Sequence, residues 1–292
     1  MRIGSFIVEQ LSEGFFEFDE DGSLTKIDPS SLQKREEEKP EDSLPEKHSV
    51  ALGIDPLFIQ TPDANIVVDP GLGWGLDKNS EHRDTSNVVT NLDIFGITPD
   101  QIDWVILTHL HYDHSAGATY ISDDLTTRPV FPNAAYLVHQ AEWDYALSHI
   151  DKKPTGGFLG ESGYYPDELY RLAANGQFYF LNSDLFSPVH GIEVIKTGGH
   201  TPGHMIVKIT DDNKLGYYPG DLVPTEYHLN HYPLKQIDAD PVQSRKQKNK
   251  ILREALKNNA YLFFYHSLYQ KSGKLSLDVN RQYTLISERV RK

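Results

Sequence analysis

Four side chains that can bind a metal ion lie within six consecutive residues: His109, His111, Asp113 and His114. They directly follow residues 103–108, an apolar run that predicts a buried strand. Side chains alternate along a strand, so His109 and His111 point the same way, and the turn after them brings the other two to a neighbouring position. Imidazole and carboxylate groups bind zinc, iron or manganese. The cluster therefore predicts the beginning of two adjacent metal sites.

Three further donors would complete these sites: His200, Asp221 and His266. His200 lies in a Gly/Pro-rich turn. Asp221 follows an apolar strand that ends at residue 218, and His266 follows the apolar run 262–264. Each is by itself more typical of a turn or a core, but together with the first cluster we expect them to bind metal. The chain has no cysteine, which excludes thiolate ligands, disulfide bonds and cysteine nucleophiles.

The order of these residues, HxHxDH and then a separate His, Asp and His, resembles the metallo-β-lactamase superfamily over roughly residues 50–270. The resemblance implies an αββα sandwich, an α/β (α+β) fold, and two β-rich halves with helices outside agree with it. It also implies two divalent metal ions, zinc first, with iron or manganese as alternatives. The implied first set is His109, His111 and His200; the second is Asp113, His114 and His266; Asp221 bridges them.

Within the superfamily, the chain resembles the branch of acyl-homoserine lactonases and methyl parathion hydrolases. Residues 131–134, the pair Glu142–Trp143 and residues 220–225 carry this likeness. Those lactonases have a tyrosine three residues after the bridging aspartate that assists the substrate carbonyl, whereas this chain has Pro224 there. The nearby side chains that could take its place are Tyr227, His228 and Tyr232.

Two metals about 3.5–4 Å apart can activate a water that attacks a carbonyl carbon or a phosphorus. Asp113 is expected to bind its metal and to orient that nucleophile. The predicted function is hydrolysis of an ester, a lactone or a related acyl compound; phosphotriester hydrolysis and a mononuclear iron dioxygenase are the alternatives. Asp69 is expected to orient a metal-binding histidine, and His204 to support the turn at 201–204. Residues 156–165 form either a substrate wall or an ordinary surface loop.

The composition limits the partners. The net charge of −14 argues against nucleic acid and anionic membranes, and a small-molecule substrate is expected. The sequence has no long apolar segment and no secretory signal, which predicts a cytoplasmic protein. We expect one domain over residues 1–292, with a charged loop at about 20–49 and an insertion at about 151–176. The resemblance is also compatible with a homodimer.

The pattern of apolar residues predicts the elements that position these side chains. Strands are expected within residues 1–19, at 50–59 and 65–69 as a hairpin, and near 103–108 and 130–139. Further strands are expected at 177–181, 192–196, 207–210, 215–218 and 260–265. Helices are expected at 87–95, capped by Ser86 or Asn87, at 140–150 and at 242–257.

Overall fold

The structure is a computed structural model that describes residues 1–18, 24–28, 30, 50–77, 82, 85–149, 164, 166–231 and 238–290. Most of the predicted charged loop, residues 156–163 of the Gly-rich stretch, and Tyr232 lie outside the described residues.

In chain order, the strands are β1 (Arg2–Ile3), β2 (Phe6–Gln10), β3 (Gly14–Phe18), β4 (Leu24–Ile27), β5 (Val50–Ile54), β6 (Leu57–Gln60), β7 (Asn65–Val68), β8 (Trp104–Ile106), β9 (Thr119–Ile121), β10 (Thr127–Pro129), β11 (Ala135–His139), β12 (Phe178–Leu181), β13 (Leu185–Val189), β14 (Ile192–Lys196), β15 (Met205–Asp211), β16 (Lys214–Tyr218), β17 (Tyr261–Phe263), β18 (Gln270–Leu277) and β19 (Tyr283–Val290). The α-helices are α1 (Val88–Asp93), α2 (Tyr112–Ser115), α3 (Gln140–Leu147), α4 (Pro166–Ala174) and α5 (Pro241–Lys257). Short 3-10 helices span Pro99–Gln101, Ala116–Ala118, Gly220–Leu222 and Glu226–Leu229.

Two seven-stranded sheets form the centre of the molecule. The first has the order β1-β2-β6-β7-β8-β11-β12, and the second has the order β13-β14-β15-β16-β17-β18-β19. Strands β7, β8, β11 and β12 are parallel, as are β16 and β17 in the second sheet. A three-stranded sheet, β4-β3-β5, and the pair β10-β9 flank them.

The apolar side chains divide into three layers of core. Between the two sheets lies a buried cluster that includes Ile3, Val8, Ile59 and Val68 from the first sheet and Val194, Val207, Ile209 and Phe263 from the second. Leu92, Trp143 and Leu172 attach helices α1, α3 and α4 to the outer face of the first sheet. Ile251 and Leu252 attach α5 to the outer face of the second. The predicted αββα sandwich is confirmed.

Strand direction brings the chemistry to one edge of the sandwich. Val68 and Ile106 lie side by side at the ends of the parallel strands β7 and β8, so the chain leaves both strands at the same edge. The parallel strands β16 and β17 end in the same way in the second sheet. The two sheets are linked here by a hydrogen bond from the Met205 N–H to the Thr108 carbonyl oxygen, 2.9 Å long.

Several predicted elements are confirmed and one is wrong. Asn87 caps α1, and its side chain accepts hydrogen bonds from Val89 N and Thr90 N. The predicted hairpin is confirmed where β6 pairs with β7. The run 50–59 is wrong as a single strand, because Pro56 has no N–H to continue a ladder: β5 pairs with β3 in another sheet, and β6 pairs with β2 and β7.

The predicted charged loop and the predicted insertion both contain regular structure. Within the charged loop at about 20–49, residues 24–27 are strand β4, which pairs with β3. Within the insertion at about 151–176, residues 166–174 are helix α4, which buries Leu169 and Leu172.

Candidate metal centre

All seven side chains predicted to bind metal meet at this edge. Strand β8 ends at Ile106 and delivers His109 and His111, and the single turn α2 then carries Asp113 and His114 back toward the sheet. His200 lies in the loop after β14, Asp221 in the 3-10 helix after β16, and His266 just after β17. The sheets therefore position donors that are up to 157 residues apart in sequence.

The first donor set consists of three imidazoles and one carboxylate oxygen. His111 Nδ1 lies 3.0 Å from His109 Nε2 and 3.1 Å from His200 Nε2. Asp221 Oδ2 lies 3.3 Å from His200 Nε2 and 3.8 Å from His109 Nε2. Tetrahedral ligands about 2.0–2.1 Å from a zinc ion are roughly 3.3 Å apart, so this spacing suits a metal ion of that size.

The second donor set lies against the other oxygen of the same carboxylate. Asp221 Oδ1 is 3.3 Å from His114 Nε2 and 3.3 Å from His266 Nε2. Asp113 Oδ2 is 3.4 Å from His266 Nε2 and 3.8 Å from His114 Nε2. Asp221 thus presents one oxygen to each set. That these residues bind metal stays a prediction, which the geometry fits.

Hydrogen bonds on the outer side of the rings fix three of the histidine tautomers. His114 Nδ1 lies 2.9 Å from Asp69 Oδ2, and His200 Nδ1 lies 2.8 Å from Asp238 Oδ1. His266 Nδ1 lies 2.9 Å from the Gly53 carbonyl oxygen. These three partners only accept, so each Nδ1 carries the proton and each Nε2 turns a lone pair toward the centre.

A shared partner fixes a fourth ring. The Thr108 hydroxyl donates to Asp69 Oδ2 over 2.7 Å, so its oxygen accepts from His109 Nδ1 at 3.1 Å. Asp69 also accepts from Thr108 N at 2.7 Å and from the Tyr218 hydroxyl at 3.0 Å. The buried Asp69 therefore orients His114 directly and His109 through Thr108, as predicted for an aspartate that orients a metal-binding histidine.

The electrostatics of the cluster suit a cation. Burial lowers the pKa of His109 and His111 well below the ordinary value, which favours the neutral form that binds metal. The neighbouring carboxylates, Asp221 first, outweigh burial at two other rings: they raise the pKa of His114 well above the ordinary value and that of His200 to about 9, so the acidic groups draw positive charge into the cluster. Lone pairs facing one another repel unless a positive charge lies between them. Among the described residues, Asp221 Oδ1 is buried without a hydrogen-bond partner. The donor set and this buried oxygen fit a metal centre.

Sequence reasoning missed one buried carboxylate that shapes the site. Glu142 accepts from the backbone N–H groups of Leu110 at 3.0 Å and Gly203 at 3.2 Å. It also accepts from the hydroxyls of Tyr164 and Thr201. Burial raises the pKa of Glu142. In the sequence, Glu142 contributes only to the family likeness, and its position as the third residue of a helix gives no sign of the contacts it makes.

His204 lies outside both donor sets. Its Nδ1 is 2.7 Å from Thr197 Oγ1, and its carbonyl oxygen accepts from the N–H groups of Thr197 and Gly198. The His204 N–H also donates to the Thr201 carbonyl oxygen at 3.3 Å, so the expectation that His204 supports the turn at 201–204 is confirmed.

A cavity of about 210 Å³ adjoins the loop of the metal motif. Leu72, Trp74 and Tyr112 provide apolar and aromatic wall, with Tyr112 lying between His111 and Asp113 in the chain. Within the described part of the chain, no helix is both long and apolar enough to cross a membrane.

Comparison with known proteins agrees with the geometry. The family model described as "Metallo-beta-lactamase superfamily" matches residues 51–266. The N-acyl homoserine lactonase AttM of Rhizobium radiobacter is 24% identical over 218 residues, 69% of this chain and 73% of that protein. An N-acyl homoserine lactonase of a Bacillus species is 23% identical over 235 residues, 74% of this chain and 82% of that protein.

Solved structures share the fold over almost the whole chain. A probable metal-dependent hydrolase from Staphylococcus aureus is 25% identical with a TM-score of 0.72, and the match covers 98% of each chain. AidC, described as a dizinc quorum-quenching lactonase, also has a TM-score of 0.72 at 19% identity, covering 100% of this chain and 97% of that one. At that identity, the second match is a likeness of fold.

Proposed function

Because the chain belongs to the metallo-β-lactamase superfamily and is a metal-dependent hydrolase, we propose that it hydrolyses a lactone or another carboxylic ester at a centre of two metal ions. Zinc is the metal we propose first, since the donors are imidazoles and carboxylates in tetrahedral spacing; iron and manganese accept the same donors.

One observation carries this proposal: the two donor sets share Asp221, one oxygen to each. His109, His111 and His200 would hold the first ion, and Asp113, His114 and His266 the second. A single ion would need only one of these sets. The outer hydrogen bonds that fix both groups of imidazoles support two sites of similar quality.

Two bound divalent ions would lower the pKa of a water toward neutrality and polarise the substrate oxygen. The protein's own residues then position the reaction. Asp113 turns Oδ2 toward His266, which leaves its other oxygen to accept a hydrogen bond from the attacking water. The hydroxyl of Tyr265 donates to the backbone carbonyl oxygen of Asp113 over 2.5 Å and fixes this turn of the chain.

Three features support an acyl substrate. The relatives named above are N-acyl homoserine lactonases. The cavity beside Tyr112 combines the apolar and aromatic side chains Leu72 and Trp74 with the polar side chains Thr119 and Thr127, which suits an organic group that carries hydrogen-bonding atoms. The net charge of −14 disfavours strongly anionic substrates. Phosphotriester hydrolysis stays a second prediction, because a metal-activated water also attacks phosphorus.

The test combines metal analysis with a substrate screen on the purified protein. Two metals per chain are expected by mass spectrometry, with turnover of lactones and aryl esters that a chelator abolishes. Asp221→Ala should lose this turnover and bind less than two metals, while Asp63→Ala, an exposed turn carboxylate, should change neither. Turnover of an aryl phosphotriester alone would favour the second prediction. One iron per chain without any hydrolysis would favour the dioxygenase.

A further inference from the structure

Residues 224–226, which follow the shared Asp221, form hydrogen bonds with residues 266–267, the loop that contains the last histidine. The His266 N–H donates to the Pro224 carbonyl oxygen over 2.9 Å. The Ser267 hydroxyl donates to Glu226 Oε2 over 2.5 Å, and the Glu226 N–H donates back to Ser267 Oγ at 3.3 Å. The 3-10 helix Glu226–Leu229 is therefore held next to the second donor set.

His228, on this 3-10 helix, is half-buried and fixed at one ring nitrogen. Its Nδ1 lies 2.7 Å from Thr225 Oγ1, and its backbone N–H donates to the Thr225 carbonyl oxygen at 3.1 Å. In the described part of the chain, no hydrogen-bond partner is found for its Nε2. One ring nitrogen of His228 is thus anchored, and the other is able to bind a ligand.

The surroundings keep this ring neutral and close to the centre. Burial, with smaller contributions from the Lys248 ammonium and His266, lowers the pKa of His228 to about 4, against the carboxylates of Asp221 and Asp238. The hydrogen bonds from His266 N–H to Pro224 and from Ser267 to Glu226 hold the 3-10 helix that carries this ring beside the second donor set. A neutral imidazole can donate one hydrogen bond without adding a charge that would repel a metal ion.

We propose that His228 is a catalytic residue that donates a hydrogen bond from Nε2 to the carbonyl oxygen of the substrate, while the Thr225 hydroxyl donates to Nδ1 and fixes the tautomer. This assignment rests on the proposed function. Ester hydrolysis builds negative charge on that oxygen, and a fixed donor stabilises the charge. Pro224, three residues after Asp221, has no side-chain donor, whereas His228 on the same segment combines an anchored Nδ1 with an Nε2 that can donate.

The other candidates are less well placed for this role. The Tyr227 side chain is 60% exposed and stacks on His231, with ring centroids 4.2 Å apart and an interplanar angle of 9°. Tyr232 lies outside the described residues. His228 therefore combines partial burial, an anchored ring and a free donor nitrogen.

The test compares His228→Leu, which removes the donor, with His228→Gln, whose amide can restore it. His231→Gln is the matched control, because His231 is exposed and lies three residues away on the same segment. For the best lactone or ester found in the screen, His228→Leu should lower kcat about 10²–10³-fold with KM changed less than about threefold. His228→Gln should recover at least a tenth of the lost rate, and the control should stay within twofold.

Two readouts do not depend on turnover. Calorimetry with a phosphonate analogue of the ester should show binding by the zinc-loaded protein that weakens about 10- to 100-fold in His228→Leu, with metal content unchanged. Nitrogen NMR of the histidine rings should show the His228 proton on Nε2, and Thr225→Val should disturb this tautomer where Thr225→Ser does not.

The outcomes separate the two proposals. Turnover by the wild type that His228→Leu leaves within twofold would overturn the role of His228 alone, as would a proton found on Nδ1. A wild-type protein that binds two metals but hydrolyses no ester or lactone would overturn the proposed function, and the role of His228 with it.

Discussion

The two donor sets share Asp221 but differ in charge. The first presents three imidazoles and one carboxylate oxygen, whereas the second presents two imidazoles and the carboxylates Asp113 and Asp221. Attraction between a divalent cation and its ligands grows with the negative charge that faces it. We therefore expect the second set to hold its ion more tightly, and the first to give up its ion earlier as a chelator is added.

A buried glutamate lies behind each set, and the two glutamates differ as well. Glu142 fixes the first set through the backbone N–H of Leu110, between His109 and His111, and through Thr201 next to His200. Glu13 lies behind the second set.

Glu13 acts on the loop after β7. It accepts from the N–H groups of Leu72 at 2.8 Å and Gly73 at 3.3 Å. This loop touches the second set, because the Gly71 N–H donates to the His114 carbonyl oxygen at 3.3 Å. Gly71 has a φ of 83°, and any side chain there would contact the Glu13 carboxylate. Loop and glutamate thus form one unit behind α2.

The largest expected effect comes from removing one donor of each set. Asp113→Ala should lower kcat/KM by about 10³-fold or more, because it removes both a ligand and the group proposed to orient the water. His111→Ala should also lower the rate, but its protein should keep the ion of the second set. Metal content after dialysis against a weak chelator checks this difference. Retention of one ion in Asp113→Ala and of none in His111→Ala would reverse the expected order of affinity.

Substitution of the carboxylates that hold the histidine rings from outside, Asp238 and Asp69, should affect the metal affinities of the two donor sets differently. Asp238→Asn should weaken the first site by about 10- to 100-fold, since Asp238 holds Nδ1 of His200. Asp69→Asn should weaken both sites, because Asp69 contacts His114 directly and His109 through Thr108. Competition titrations with a metal-binding dye measure the two metal-binding steps separately and show whether one or both are weakened. Equal losses at both sites in Asp238→Asn would contradict the separation.

The residues of the cluster and their partner Asp69 could be predicted from sequence, but the other partners could not. Each donor follows an apolar run or lies in a Gly-rich turn, where a strand ends. Without cysteine, few residue types can bind zinc, so residue type and position in the sequence both indicate the same side chains. Asp238 lies two residues before the helix cap Asp240 and looks like part of the same capping segment. The Gly53 carbonyl oxygen, which holds His266, has no side-chain signature at all.

The fold shows the same limit. Runs of β-branched residues predicted the central strands, whose two faces are buried. Strand β18 reads Gln-Lys-Ser-Gly-Lys-Leu-Ser-Leu, and its pairing with β17 and β19 makes it a strand in spite of that polar sequence. Pairing with strands far away in sequence decides the secondary structure of such segments, and the β-propensity of their own residues does not reveal it.

The glutamate behind the first set gives the next prediction. Glu142→Gln should lower the free energy of unfolding by about 2–3 kcal/mol, because an amide nitrogen would face N–H and O–H donors in a buried site. It should also weaken the first metal site before the second. Urea unfolding of the metal-free protein measures the first effect, with Asp93→Asn, an exposed helix carboxylate, as the control. A loss of unfolding free energy no larger than that of the control would show that Glu142 does not stabilise the fold.

The smallest expected effect belongs to Glu13, and it depends on pH. Burial raises its pKa from 4.5 to about 7, against the hydrogen bonds from Leu72 and Gly73 and the Lys26 charge. In the unfolded chain the carboxyl ionises near 4.5, so between these values the folded protein binds more protons than the unfolded one. The contribution of Glu13 to stability is therefore fully present below about pH 4.5 and is lost as pH rises through about 7.

Glu13→Gln cannot ionise and should remove this slope. Between pH 5 and 7, the wild type should lose about 1–2 kcal/mol of unfolding free energy relative to Glu13→Gln, since relaxation takes up part of the roughly 3 kcal/mol that such a shift represents. Urea unfolding of both metal-free proteins across this range measures the difference, which cancels the titration of the histidines they share. Because Glu13 holds the loop behind the second set, any change in metal affinity should appear at that site. Parallel pH curves for the two proteins would mean that Glu13 stays ionised in the fold and that its hydrogen bonds to the backbone outweigh its burial.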